Sequence, residues 1–227
     1  MAKSFFVTGT DTGIGKTLVS TGLLFKARQQ GLSTAALKPV AAGCERTAEG
    51  LRNDDALALL AQTTAELSYE KINPVALEAP IAPHIAAAES GRNLEIASMT
   101  RQSQLVLQQR YDLTLIEGAG GWQVPINAEE TLADLAVSLE LPVILVVGLR
   151  LGCINHALLT AQAIRSSGAP LAAWVANQVD PEMSRVEENI ATLAHRLAAP
   201  YLGHIPFLDK AEPKHAAKYL RLEQLSL

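Results

Sequence analysis

The sequence is poor in the features that mark several specialised protein classes. Only two cysteines occur in 227 residues, Cys44 and Cys153, far apart and without metal-ligand spacing. That argues against a disulfide framework or a thiolate metal site and reads as two reduced thiols of a cytoplasmic protein. No block of lysine or arginine is present, and the formal net charge is −4. Nucleic acids and anionic membranes both select for a basic surface, so neither is expected as a partner. Long apolar runs are missing too. The most apolar stretch, Leu141 to Val147, falls far short of the ~20 residues a membrane helix needs, so the protein is expected to be soluble. No secretory leader is visible, because strand-like sequence starts at Phe5-Phe6-Val7.

What is present is an aliphatic chain, 48% hydrophobic but only 4% aromatic, of a length suited to a single domain spanning 1–227. Apolar segments bounded by Gly, Pro or Asp recur at Ser4–Val7, Thr34–Leu37, Leu113–Ile116, Pro142–Val147, Ala172–Ala176 and Tyr201–Ile205. Several are apolar at nearly every position, as in parallel strands covered on both faces. Helical patterns intervene at Lys16–Gln30, Asp54–Gln62, Glu95–Gln109, Thr131–Leu139, Asn155–Ser167 and Met183–Leu197, with Gly31 and Gly168 as C-terminal caps. Strand alternating with helix predicts an α/β fold: one doubly wound, mainly parallel sheet flanked by helices. The stretch Thr63–Gly91, interrupted by Pro74, Pro80 and Pro83, reads as a plain connecting loop, with a substrate-side insertion as the alternative.

The segment Gly9-Thr10-Asp11-Thr12-Gly13-Ile14-Gly15-Lys16-Thr17 follows a strand and opens a helix, the context of a phosphate-binding loop. Its glycines let backbone N–H groups turn inward around phosphates, and the helix N-terminus adds its positive end. Lys16 would reach the β/γ-phosphates, and the Thr17 hydroxyl would ligate Mg²⁺. Five residues rather than four separate Gly9 from Gly15, a variant of the usual spacing that leaves Gly-Lys-Thr intact. The sheet is therefore expected to be of P-loop NTPase type. A second apolar strand ends in Glu117, followed by Gly118-Ala119-Gly120-Gly121; a carboxylate at a strand tip is where such folds place their other metal contact. Lys38 ends another strand and reads either as a site residue or as a surface lysine. Asp54 and Asp55 open a helix, where capping and a functional role both remain open.

Together these pieces resemble the dethiobiotin synthetase family. The resemblance rests on GTDTGIGKT (9–17), LKPVAAG (37–43), GLRNDDALAL (50–59), NPVAL (73–77), APH (82–84), IEGAGGW (116–122), LPVILVVG (141–148), LGCINHALLTAQAI (151–164), WVAN (174–177) and LGHIP (202–206), which together span nearly the whole chain. It implies an ATP-dependent cyclo-ligase that makes dethiobiotin, ADP and phosphate from 7,8-diaminononanoate, CO₂ and ATP. By the same resemblance Lys16 and Lys38 are catalytic, with Lys38 nearest the carbamate. Thr17, Asp55 and Glu117 take magnesium. Nucleotide contacts are implied at Gly13, Ile14, Gly15, Lys16, Thr17, Leu18, Asp55, Glu117, Gly118, Ala119 and Gly120. Asn177, Pro206, Phe207 and Leu208 are implied around the adenine.

Substrate contacts are implied at Thr12, Lys38 and Ala42. The free N–H groups of Gly152, Cys153, Ile154 and Asn155 are implied to receive a carboxylate across a homodimer interface. The residues also allow Asn155 to act as a simple helix cap. Three positions depart from the family pattern: Gly13 where an acid is common, Ala42 in place of a serine, and Asn189 where some members carry tyrosine. All three bear on the diamine rather than on ATP. Two other readings compete, a partner-regulated switch ATPase and a relative of amidotransferase synthetases. The first would favour a lysine at Thr10 and a basic tail, whereas 214–227 is mixed in charge; the second would need a glutaminase partner.

Overall fold

A computed structural model describes residues 3–225. The chain opens with β1 (Lys3–Gly9), α1 (Lys16–Gln29) and β2 (Thr34–Leu37). Small elements follow: β3 (Val40–Ala41), β4 (Glu45–Thr47), β5 (Gly50–Arg52), α2 (Asp54–Ala61), α3 (Tyr69–Ile72), β6 (Val75–Ala76) and α4 (Pro83–Glu89). The second half alternates regularly through α5 (Ile96–Leu107), β7 (Leu113–Glu117), α6 (Leu132–Ser138), β8 (Val143–Leu149), α7 (Cys153–Ser166) and β9 (Leu171–Gln178). It ends with α8 (Val186–Leu197), β10 (Tyr201–Ile205), the short α9 (Pro213–Ala216) and two 3-10 turns, Ala217–Tyr219 and Leu222–Leu225.

Six strands form one parallel sheet in the order β10-β9-β8-β1-β7-β2. Alternate residues of each strand feed opposite cores: Phe5 and Val7 pack with Leu23 and Ile144 on one face, Phe6 with Ile116 and Trp174 on the other. Burial on both faces is why these strands are apolar at consecutive positions. Gly31 adopts φ 77° after α1, and the N–H groups of Gly31 and Leu32 return to Arg28 and Ala27, a Schellman stop that turns the chain into β2.

Three sequence expectations are corrected. Thr63–Gly91 is no plain connector: it carries α3, α4 and β6, which pairs in parallel with β3. Helix α2 is capped by Asn53, whose side chain accepts the Ala56 N–H, so Asp54 and Asp55 lie in the first turn and neither is the cap. Helix α7 starts at Cys153 behind Gly152 in a left-handed conformation (φ 94°), which places Asn155 inside the first turn rather than at its cap.

The sheet order brings the three chemically marked segments together. Strands β2, β7 and β1 are neighbours, with Leu37 opposite Ile116 and Val7 opposite Glu117. Lys38, Glu117 and the loop after Gly9 therefore emerge side by side at the carboxyl end of the sheet, where open α/β folds collect ligands.

Candidate active site

The loop between β1 and α1 is shaped by Gly13 (φ 71°) and Gly15 (φ 82°), backbone conformations that L-residues with side chains rarely adopt. A Cβ on Gly15 would collide with the amide of Asn177, which is buried and donates to the Ile14 carbonyl at 2.8 Å. β9 thus braces the loop from behind. Lys16 folds back to donate to the Asp11 carbonyl at 3.0 Å. The Asp11 carboxylate accepts the Thr12 N–H at 2.7 Å and pairs with Arg150.

Next to the loop lies a buried charge cluster. Lys38, 3% exposed, donates to Glu117 Oε1 at 2.8 Å, to Asp55 Oδ2 at 3.1 Å and to the Gly118 carbonyl at 3.2 Å. Glu117 is fully buried and also accepts the hydroxyls of Thr17 and Ser20, each at 2.7 Å. All three ammonium protons of Lys38 and both oxygens of Glu117 are thereby used, which is what makes this burial affordable. Burial works to discharge Lys38, but the Glu117 and Asp55 carboxylates outweigh it and hold the pKa above the usual lysine value. Asp55 answers in the opposite direction. Its partial burial favours the neutral acid, yet Lys38 and the Thr17 hydroxyl bring the carboxyl below its ordinary range.

Lys16 differs. Burial, reinforced by the charge of Lys38, lowers its pKa from 10.5 to about 8. Bound polyphosphate would restore the charged form, so nucleotide binding should take up protons above about pH 8. Nucleotide affinity should then weaken as pH rises beyond that point, by up to about tenfold per pH unit. Calorimetry in two buffers of different ionisation heat at pH 8.5 reads the uptake directly; zero uptake would refute the shift. By the same sign Lys16 costs folding stability at neutral pH, a cost relieved as pH climbs through about 8.

A cavity of about 870 Å³ opens above these groups. It gathers Thr12, Gly13, Gly15, Lys16, Thr17, Lys38, Ala42, Asp55, Ala119 and Gly120 of the residues expected from sequence. Glu117 lies beneath it, bonded to Thr17 and Lys38. Gly118 and Gly120 are small for a reason: a Cβ on Gly118 would come within 3.2 Å of the Phe6 ring, and one on Gly120 within 3.3 Å of the Thr12 hydroxyl. Sequence reading missed Ser20, Asn53, Gln123 and the wall Pro80–Pro83. Proline spacing in 74–83 and the APH segment (82–84) were the available signals for that wall.

Other expected residues lie outside the cavity. Ile14 and Leu18 pack into the core beside α1, and Phe207, following Pro206 and preceding Leu208, is 47% exposed. Gly152, Cys153, Ile154 and Asn155 form the start of α7, next to Leu151, which is 96% exposed.

The donors around Lys38 suit a hard divalent cation: two carboxylates already converge on a positive charge, and the Thr17 hydroxyl is bonded to one of them. Among the described residues no group of three or more His, Cys, Asp or Glu side chains is built to hold a metal. Thr17, Asp55 and Glu117 offer one hydroxyl and two carboxylates, the oxygen donors that magnesium takes while completing its shell with water and phosphate oxygens.

A family model described as an AAA domain matches residues 3–215. An ATP-dependent dethiobiotin synthetase of Pseudomonas aeruginosa strain UCBPP-PA14 is 59% identical over 224 residues, covering 99% of this chain and 98% of the relative. Another, from Cellvibrio japonicus strain Ueda107, is 60% identical over 223 residues, with coverage of 98% and 97%. The chain belongs to the ATP-dependent dethiobiotin synthetases.

Solved structures show how widely the synthetase fold is shared. A ParA family ATPase from Chlorobium tepidum TLS superposes with a TM-score of 0.58 at 14% identity, covering 100% of this chain and 96% of that one. The MinD cell division protein of Aquifex aeolicus gives 0.60 at 17%, with coverage of 99% and 95%. At such identities only the fold is common, and full-length likeness to the synthetases decides against the switch ATPase reading. Among the positions that depart from the synthetase pattern, Asn189 faces Cys153, with its Oδ1 3.8 Å from the thiol, while Ala42 lines the cavity. Gly13 has open space around a built Cβ, so its backbone rather than crowding disfavours a side chain.

Proposed function

We propose that residues 1–227 form one domain that works in the cytoplasm as a magnesium-dependent homodimer. It carboxylates 7,8-diaminononanoate with CO₂ and closes the ureido ring at the expense of ATP. The observation that carries this reading is the convergence of Lys16, Lys38, Thr17 and Asp55 on one cavity, with Glu117 anchoring Thr17 and Lys38 from below.

In the first step an amine of the substrate attacks CO₂ and releases a proton, giving a carbamate. A carbamate oxygen then attacks the γ-phosphorus as ADP leaves. Finally the second amine attacks the carbonyl of the carbamic–phosphoric anhydride, the ring closes, phosphate departs and a further proton is lost. The middle step sets one anion against another. Two unit charges ~4 Å apart repel by about 4 kcal/mol at an effective dielectric near 20. Lys38, released from Glu117 and Asp55 toward the cavity, would meet the carbamate, while Lys16 leaves the Asp11 carbonyl for the phosphates. The N–H groups of 13–18 supply fixed dipoles that need no reorganisation during the reaction. Magnesium held by Thr17, Asp55 and Glu117 would neutralise charge on the phosphate oxygens.

Gly118, Ala119 and Gly120 keep the opposite side of the phosphates free of side chains. Asn177, with Pro206, Phe207 and Leu208, would enclose the adenine. Thr12 and Ala42 would flank the diamine. Its carboxylate would rest on Gly152–Asn155 of a second subunit, a reading supported by the bare left-handed start of α7 and by the exposure of Leu151 beside it. Incubation with the diamine, labelled bicarbonate and Mg-ATP should yield labelled dethiobiotin by mass spectrometry. ATP hydrolysis that proceeds equally without diamine and bicarbonate would overturn the assignment.

A further inference from the structure

A buried run of hydrogen bonds lies behind Lys38 and Asp55, and none of the steps above uses it. Asn73, 3% exposed, donates through Nδ2 to the Lys38 carbonyl at 2.7 Å and to the Val75 carbonyl at 3.3 Å. Its Oδ1 accepts the Tyr69 hydroxyl at 3.0 Å. The same phenol oxygen accepts the N–H of Asn53 at 2.7 Å. Asn53 in turn caps α2, accepting the Ala56 N–H at 3.1 Å, and Asp55 is the second residue of that helix. One end of the run therefore holds the backbone of Lys38, and the other holds the helix start that carries its partner Asp55. The Lys38 N–H is fixed from the same side, donating to the Ile72 carbonyl at 2.8 Å.

We propose that Tyr69 and Asn73 are positioning residues, setting where the Lys38 ammonium stands relative to Asp55 and hence to the carbamate; this rests on the reaction assigned above. The phenol accepts from one group and donates to another, a pairing phenylalanine cannot reproduce. Its ring is held under the Arg52 guanidinium, 4.2 Å from the ring centroid, and Arg52 pairs with Glu70 at 3.2 Å. Deleting the hydroxyl leaves the half-buried Asn53 N–H and the buried Asn73 Oδ1 without that partner, and the structure relieves the cost by moving α2 or α3. Either movement displaces Lys38 or Asp55. The phosphate loop hangs from β1 and is braced by Asn177, so binding of ATP without magnesium is insulated from the shift, whereas Asp55 would carry it to the metal.

The test compares Tyr69→Phe and Asn73→Asp with the unaltered protein. Asn73→Asp keeps an oxygen for the Tyr69 hydroxyl but removes the donor to the Lys38 carbonyl. In both, kcat for dethiobiotin formation should fall about 10–100-fold, as expected for a misplacement near 1 Å. ATP affinity by calorimetry without magnesium should stay within about twofold, the signature of an interaction felt in the reaction rather than in binding. Thr64→Val serves as the stability control: Thr64 Oγ1 accepts the Thr34 N–H at 2.7 Å at the far end of β2 from Lys38. It should lower the melting temperature and leave kcat alone. Unchanged kcat in the folded variants overturns the proposal, and so does a loss of kcat matched by an equal loss of ATP affinity. If Tyr69→Phe does not fold by circular dichroism, Asn73→Asp decides. A wild-type protein that forms no dethiobiotin refutes the reaction assignment itself, whereas an active wild type with unaffected variants refutes only the positioning role.

Discussion

Replacing Lys38 with alanine should slow dethiobiotin formation by about a thousandfold, the upper range for losing one preorganised charge at a reacting oxyanion. Mg-ATP should still bind, because Lys16 and the loop N–H groups are untouched. The structure adds a second consequence. Lys38 and Glu117 are both buried, so removing the ammonium leaves Glu117 without its counter-charge, and breaking a buried pair costs about 3–5 kcal/mol. Asp55 is half-exposed and water screens it, so the remaining burden falls on Glu117. The free variant should melt well below wild type, and a divalent cation should recover more stability in the variant than in wild type. Thermal melts with and without Mg-ATP, set beside single-turnover rates, separate the two effects. Loss of nucleotide binding with continued turnover of bound ATP would remove Lys38 from the carbamate.

Glu117→Gln should have the next largest effect. Glutamine keeps the shape and an oxygen for one of the two hydroxyls, Thr17 or Ser20, but withdraws the charge. Turnover should fall about 100–1,000-fold, and its half-saturating magnesium concentration should rise. Lys38 would also lose the nearer of the two carboxylates that hold its pKa up against burial. Its pKa must then fall, so the variant's activity should be lost at lower alkaline pH than that of wild type. A magnesium titration of turnover is decisive: an unchanged midpoint means Glu117 is not a metal ligand.

How much of this was legible before the structure depended on how local the signal was. The strands of the main sheet were readable because parallel strands buried on both faces need apolar residues at consecutive positions; Thr34–Leu37 and Tyr201–Ile205 matched to the residue. The phosphate loop was readable because backbone N–H groups can line an anion only where glycines permit the turn, within a single nine-residue window. Asn53 was overlooked in favour of Asp54 and Asp55, since asparagine and aspartate cap helices equally well in sequence and only the backbone at Asn53 (φ −116°, ψ 132°) separates them. The wall Pro80–Pro83 reads first as a connector, with a substrate-side insertion as the alternative, because the residues it faces lie far along the chain.

The order of residues alone determined a parallel α/β sheet, a loop made for phosphate and an acid at the tip of a neighbouring strand, since each is a demand that adjacent residues place on one another. Only the tertiary structure decided that Lys38 is a buried partner of Glu117 and Asp55 rather than a surface lysine, that Ser20 completes the carboxylate's hydrogen bonds, and that Tyr69 and Asn73 stand behind the pair. Apart from the local Tyr69–Asn73 bond, those groups meet across separations of 17 to 97 residues, as in the Lys38–Asp55 and Ser20–Glu117 contacts. Nothing in local spacing encodes such meetings; the strand order β1-β7-β2 and the burial that excludes water create them.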